Sequence, residues 1–285
     1  MKKVISLFLV TIVCMLSFSS CSGPAKVRVN GTKIDNEVYA YFEDLHDKNE
    51  PEIKKAISRY VTINSEFNKR DLTLTPAQKS SLSTNVDNLW HLYRPHYVEI
   101  GVSKVTLYKI EASKAYEDAL LDYYYGEDGV EPVSEDELKK YFKTHYIAIS
   151  YATEYLFNID EAGEMMPMSD NDKATIINGF SNAEGLVNTG TPIEGATTKD
   201  VHNAIINSSS DGAFPTGFFK EVANIKTGSA STVVLDDYAF LVQRIDVFDE
   251  TYNYYGSYRT QCLRALKGKA FDQMIDQWSQ SYKVK

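Results

Sequence analysis

The sequence predicts an α+β fold, with a helical lobe and a small antiparallel sheet flanked by helices. Three observations predict it. Between residues 35 and 146, apolar residues recur at steps of three and four behind explicit capping residues, the mark of amphipathic helices. Residues 151–157, 233–235 and 238–245 are instead β-rich runs, the last two separated only by Asp236 and Asp237, which makes them hairpin neighbours. From about residue 250 to the end, helical spacing returns.

In chain order, residues 27–34 read as a small strand with an Asn30-Gly31 turn, leading into a helix near Asp35. Residues 51–69 carry Ile53, Ile57, Tyr60, Val61 and Asn64 on one helical side. Thr75 caps the next helix and Pro76 occupies its first turn, where a missing N–H leaves no bond unmade. Leu82, Val86, Leu89, Trp90 and Tyr93 follow at helical spacing, and Pro95 predicts a kink or an end. Gly101 breaks the chain. Ser103 then caps a long helix reaching about Tyr125, with Val102 and Leu107 as its hydrophobic staple. Ser134 and Glu137 form a capping box ahead of Leu138, Tyr141, Phe142 and Tyr146.

A strand is expected over 151–157, then a loop with Met165, Met166 and Met168, a helix near 170–187, and a second short helix near 199–206. Phe214, Phe218, Val222 and Ile225 suit one further short helix, closed at Thr227-Gly228-Ser229 by a left-handed Gly228. After the hairpin, the last helix presents Tyr258, Cys262, Leu266, Ala270, Met274 and Trp278 along one side, too apolar to stand free.

The 285 residues favour two lobes over one, and 43% hydrophobic with 24% charged residues suits a soluble globular protein with a sizeable core. Residues 1–20 read as a targeting segment, with Lys2 and Lys3 ahead of an apolar run over 4–16 too short to span a bilayer. Ser19-Ser20-Cys21 resembles a bacterial lipobox, with Phe18 an unusual residue three before the cysteine. That resemblance implies cleavage before Cys21 and a diacylglycerol on its sulfur, which anchors the chain outside the cytoplasm on the bacterial cell membrane. An ordinary secretory signal that contains a cysteine is the plainer alternative. With Cys14 removed and Cys21 acylated, only Cys262 remains, so no internal disulfide or cysteine metal site forms. Loss of two lysines takes the formal charge from −9 to −11, which argues against nucleic acid and against an electrostatic grip on anionic lipid.

Three blocks in the second half carry a family resemblance. Phe214-Pro215-Thr216-Gly217-Phe218, residues 225–231 (IKTGSAS) and Asp237-Tyr238-Ala239-Phe240-Leu241-Val242 follow one another in the order and spacing of M-V-P-x-F, L-K-P-G-x-x-S and G-Y-H-I-I-x-V. This resembles a parvulin-type peptidyl-prolyl isomerase domain. Residues 151–157 align with the family's first strand, K-A-x-H-I-L, and residues 208–212 with its Ser-rich loop and short central strand. Val29-Asn30-Gly31 with Ile34, Glu37 and Tyr41, the Gly101-Val102-Ser103 step and the run over 134–142 resemble the chaperone region of the SurA and PrsA foldases. The resemblance implies a helical chaperone lobe over 21–146, a parvulin-like insert over 147–249, and a helix over 250–285 that folds back to complete the lobe.

An isomerase must hold the proline ring in an apolar pocket and favour the twisted amide, against a barrier of about 18–20 kcal/mol. The family uses a Met or Phe wall above a floor of two histidines and a Cys or Asp. Here both histidine positions are substituted, by Tyr155 and Ala239, so no catalytic residue is assigned. The resemblance points to Phe214, Phe218, Tyr155 and Phe240 as substrate-binding residues, the two phenylalanines 214 and 218 forming the wall. Against this stands the bland alternative that the phenylalanines pack a helix on the sheet and the strand tyrosine is structural. His46, His91, His96, His145 and His202 are scattered, and no cofactor or metal is expected. Of the 20 tyrosines, Tyr39, Tyr41, Tyr93, Tyr97 and the group at 123–125 are candidates to line a surface gripping unfolded chains.

The expected function is a membrane-anchored folding factor that binds unfolded exported polypeptides, with a degenerate parvulin domain of weak or no catalysis. A homodimer is compatible with this reading. An active peptidyl-prolyl isomerase and a solute-binding or adhesive surface lipoprotein are the alternatives.

Overall fold

The computed structural model describes residues 27–209 and 213–285. The leader, Cys21, and Ser210, Asp211 and Gly212 of the Ser-rich loop lie outside the described residues. The chain divides into two compact units, one of Met1–Leu120 with Lys269–Lys285, the other Leu121–Gly268.

The first unit starts with a hairpin of β1 (Arg28–Val29) and β2 (Thr32–Lys33) around Asn30 (φ 48°) and Gly31 (φ 83°), both left-handed as a two-residue turn requires. Four helices follow: α1 (Asn36–Leu45), α2 (Glu50–Lys69), α3 (Pro76–Glu99) and the start of α4 (Lys104–Tyr125). Their starts obey the capping residues. The Asp35 side chain accepts from Glu37 N, Thr75 and Gln78 form a complete capping box, and Ser103 Oγ accepts from Thr106 N at 3.2 Å. Pro95 does not end α3. The helix passes through it, and the disturbance sits two residues earlier, at Tyr93 (φ −120°, ψ 15°).

The last helix, α9 (Tyr254–Ser279), returns its C-terminal end to this unit. Asp272 bonds Arg59 at 2.8 Å, Ser279 Oγ meets Thr62 Oγ1 at 3.1 Å, and the Tyr282 hydroxyl donates to Glu66 at 3.2 Å. Residues 283–285 then run along β1, where Arg28 and Lys285 exchange two backbone bonds of 2.9 Å. The buried line of α9 is Cys262, Leu263, Phe271 and Ile275, while Ala270 is exposed and Leu266 only half-buried. A strict four-residue repeat drifts by about 40° per step around a helix, so the expected line through Leu266 and Ala270 leaves the core.

The second unit holds α5 (Glu135–His145), capped by Ser134, and a four-stranded antiparallel sheet. Its strands are β3 (Ile147–Tyr155), β6 (His202–Ile206), β7 (Ala230–Leu235) and β8 (Tyr238–Ile245), in the order β6-β3-β8-β7. Between β3 and β6 come a small hairpin of β4 (Phe157–Ile159) and β5 (Met165–Pro167), α6 (Asp170–Asn188) and α7 (Ile193–Ala196); α8 (Phe218–Ala223) precedes β7. The β7–β8 turn is the expected Asp236-Asp237, with Leu235 opposite Tyr238 and Asp236 left-handed at φ 49°.

Three expectations are corrected here. The first strand starts at Ile147, four residues early, and breaks at Leu156. The helix expected near 199–206 is absent: residues 193–196 make the short helix, and His202–Ile206 pair with Tyr151 to Ile147 as an edge strand. So short an apolar run does not distinguish the two periods, and an unpaired flank of β3 decides for strand. The helix expected from Phe214 begins only at Phe218, after Pro215 and the left-handed Gly217 (φ 89°).

Candidate functional site

Side chains alternate along a strand, so β3 and β8 send even and odd residues to opposite faces of the sheet. Ala152 from β3, with Ala239 and Leu241 from β8, packs against Phe180, Ala183 and Val187 of α6 and Ile193 of α7. The small alanines let α6 approach closely. Its side chains also seal the β7 edge: Asn188 exchanges two bonds with the Ala230 backbone, at 2.9 and 3.0 Å, and Glu184 accepts from Thr232 N at 2.7 Å.

The opposite face is a row of aromatic rings. Phe218 and, as its floor, Phe240 are the most deeply buried of these, 1% and 3% exposed, with ring centroids 4.8 Å apart. Phe214 stacks on Phe218 at 4.4 Å and meets Tyr151 edge-on at 5.4 Å. From Phe240 the row continues through Tyr238 (6.0 Å) and Tyr155 (5.4 Å) to Phe157 (4.8 Å). The helix α8 covers only the Phe240 end, where Val222 and Ile225 meet Val233 and Val242. Arg244 holds that short helix down by donating to the carbonyls of Ala223 (3.1 Å) and Ile225 (2.9 Å), which otherwise lack helical partners. Towards the other end the cover by described residues thins along this trough: Tyr151, Phe214 and Tyr238 are partly buried and Tyr155 is 50% exposed.

Phe214, Phe218 and Phe240 therefore share one cluster, and Tyr155 stands at the open end of the same row. Ala239 does not belong to it. Its Cβ is fully buried on the α6 face, and its partner across the sheet is Glu154, whereas Tyr155 pairs with Tyr238. The two positions matched to family histidines thus lie on opposite faces and cannot form one floor. The β8 side chain aimed at the phenylalanine wall is Phe240.

Tyr151, Tyr238, Phe157 and His202 were missed as site residues. His202 lies opposite Tyr151 on the edge strand, with ring centroids 5.7 Å apart. Tyr151 and Tyr155, four apart on one strand, share a face by alternation alone, so that signal was available once the strand was recognised.

Chemically the trough offers aromatic and aliphatic surface, contributed by Phe214, Phe218 and Phe240 together with the tyrosines 151, 155 and 238. The nearest polar side chain inside the strand pair, Thr153, already donates to the Ala239 carbonyl at 3.4 Å. Cys262 is fully buried on α9, and burial pushes its thiol up to about 11, so it is not a nucleophile at neutral pH. Among the described residues no group of His, Cys, Asp and Glu side chains is placed to hold a metal ion, and no helix is long and apolar enough to cross a membrane. Of the tyrosines expected to line a gripping surface, Tyr39, Tyr97 and Tyr125 are buried in the core, while Tyr93 and Tyr123 are exposed.

No family model matches the chain, and no curated protein matches it. Among solved structures it is similar to the foldase protein PrsA of Lactococcus lactis, at 12% identity and TM-score 0.43 over 91% of this chain and 93% of that one. It is also similar to the foldase protein PrsA of Streptococcus pneumoniae (12% identity, TM-score 0.44, 89% and 92% covered). A further similar structure, from the pair of SurA-like chaperones PEB4 and Cj1289 of Campylobacter jejuni, has 11% identity and TM-score 0.33 over 91% of this chain and 97% of that one.

Proposed function

We propose that this protein is an extracytoplasmic folding factor, tethered to the membrane through Cys21, that holds unfolded exported polypeptides without rotating Xaa-Pro bonds. The observation that carries this reading is the half-open aromatic trough over Phe214, Phe218, Tyr151, Phe240, Tyr238 and Tyr155. Its rings are held by their neighbours and grade from the buried Phe218 and Phe240, through the partly buried Phe214, Tyr151 and Tyr238, to the half-exposed Tyr155. Such pre-packed rings supply apolar contact area at little entropic cost to proline and aromatic side chains of an extended chain. Isomerisation would further require polar groups beneath the wall that favour the twisted amide, and the floor here is Phe240. The motif resemblance to the PrsA and SurA foldases and the lipobox-like Ser19-Ser20-Cys21 support the placement outside the cytoplasm.

Two assays on the full chain test this. Aggregation of a reduced, unfolded client should be suppressed at near-stoichiometric protein, and Tyr155→Ala should weaken the suppression. A protease-coupled assay on a proline tetrapeptide should stay at the uncatalysed rate. Turnover abolished by Phe214→Ala would replace this reading with the isomerase one, and a client that aggregates unimpeded would remove it.

A further inference from the structure

Beyond Tyr155 the trough continues onto the β4–β5 hairpin. Phe157 lies opposite Pro167, and Ile159 opposite Met165, so these four side chains share one face of the two-stranded ribbon. Phe157 joins that face to the trough through Tyr155 and Tyr238. Ile159 and Met165 are 61% and 59% exposed. Large aliphatic groups this bare, contiguous with half-exposed rings, form a docking surface, and methionine adapts to ligands of varied shape.

Carboxylates border this surface. The β4–β5 turn contributes Asp160, Glu161 and Glu164, and the β7–β8 turn contributes Asp236 and Asp237; neither turn contains a lysine or arginine. Both turns are held in place. Asp160 Oδ1 accepts from Ala162 N (2.9 Å) and Glu164 N (2.8 Å), and the Asp237 carbonyl accepts from Leu156 N at 2.7 Å, between Tyr155 and Phe157. The nearby Lys199 is paired with Glu154, whose side chain belongs to the opposite face.

We propose that this apolar end of the trough selects extended client segments whose proline, aromatic or aliphatic residues are flanked by lysine or arginine. The proposal rests on the client-holding reading above and names its substrate class. An apolar core with a rim of one charge sign binds the complementary pattern, and the rim acts chiefly through encounter rate and discrimination. Acidic flanks meet like charge and are disfavoured.

Three fluorescent peptides separate the outcomes on the full chain: KKAFPLFAKK, EEAFPLFAEE and a serine-flanked version. At low salt the lysine peptide should bind roughly tenfold or more tighter than the glutamate peptide. That ratio should collapse towards unity at about 1 M salt, where the screening length is only about 3 Å. In the variant E161Q/E164Q/D236N/D237N the ratio should fall to within about threefold while the serine peptide keeps its affinity. Asn at 236 tolerates the left-handed backbone, and the salt titration of the unmodified protein stands even if the variant folds poorly. If the serine peptide binds but charge makes no difference, the selection is wrong and the client-holding reading survives. If none of the three binds, both fall.

Discussion

The two faces of the four-stranded sheet are made by alternate residues of the same strands, yet they end differently. The face built from Ala152, Ala239 and Leu241 is sealed by the 19-residue α6, and its side chains are buried. The face built from Tyr151, Tyr155, Tyr238 and Phe240 is covered at one end by the six-residue α8, and among the described residues its cover thins towards the half-exposed Tyr155. Small residues draw a helix close, whereas bulky rings fill their own face and leave room above. One face is therefore a matter of stability and the other of binding, and substitutions should separate the two.

The largest stability loss should come from the sealed face. Leu241→Ala removes a fully buried side chain beneath α6 and should cost about 2–5 kcal/mol in denaturant unfolding, with client binding unchanged once the fold is intact. Ala239→His, which restores the family histidine by sequence, should cost about 1–3 kcal/mol from overpacking and bring no isomerase activity. Stability preserved together with a gain of turnover would show that residue 239 faces the trough after all. On the open face, Tyr155→Ala removes a half-exposed ring with its contacts to Tyr238 and Phe157 and should cost only about 0.5–1.5 kcal/mol of stability. It should nonetheless weaken client binding by about tenfold, equivalent to ~1.4 kcal/mol.

Acid supplies a contrast from the other unit. Burial opposes ionisation of Glu66, but the hydrogen bonds from Lys69 (2.7 Å) and Arg70 (2.6 Å) and their charges more than offset it, holding the carboxyl below the usual glutamate range. A depressed folded value means this stabilisation is present above the unfolded glutamate value, about 4.3, and is lost as pH falls through the folded one. Hydrogen exchange on acidification should therefore rise in α2 around Glu66 before it rises on either sheet face.

Much of the fold was legible because its signals are local. Asp35, Thr75, Ser103 and Ser134 stand where helices begin, and the Asp236-Asp237 hairpin falls where turn chemistry puts it. Gly228 is left-handed as expected but sits in a separate turn, since α8 has already ended at Ala223 instead of running on to be closed by it. The errors came from non-local causes. His202–Ile206 is a strand because β3 offers it an edge, which no local propensity records. Ala239 was read as a lost floor residue because motif alignment gives position along a strand but not which face a side chain takes, and a one-residue shift reverses the face. Phe214, Phe218, Phe240 and Tyr155 were named from the motifs; Tyr151 and Tyr238 join them only through the strand register.

The most direct test is hydrogen exchange on the full chain with and without a reduced, unfolded client. Slowed exchange at the amides of residues 155–159, 165–167 and 238, with α6 unchanged, is the expected footprint of a polypeptide lying over the rings. Protection confined to α6 or to the Met1–Leu120 unit would show that clients are held elsewhere and that the aromatic face is only a core left partly uncovered.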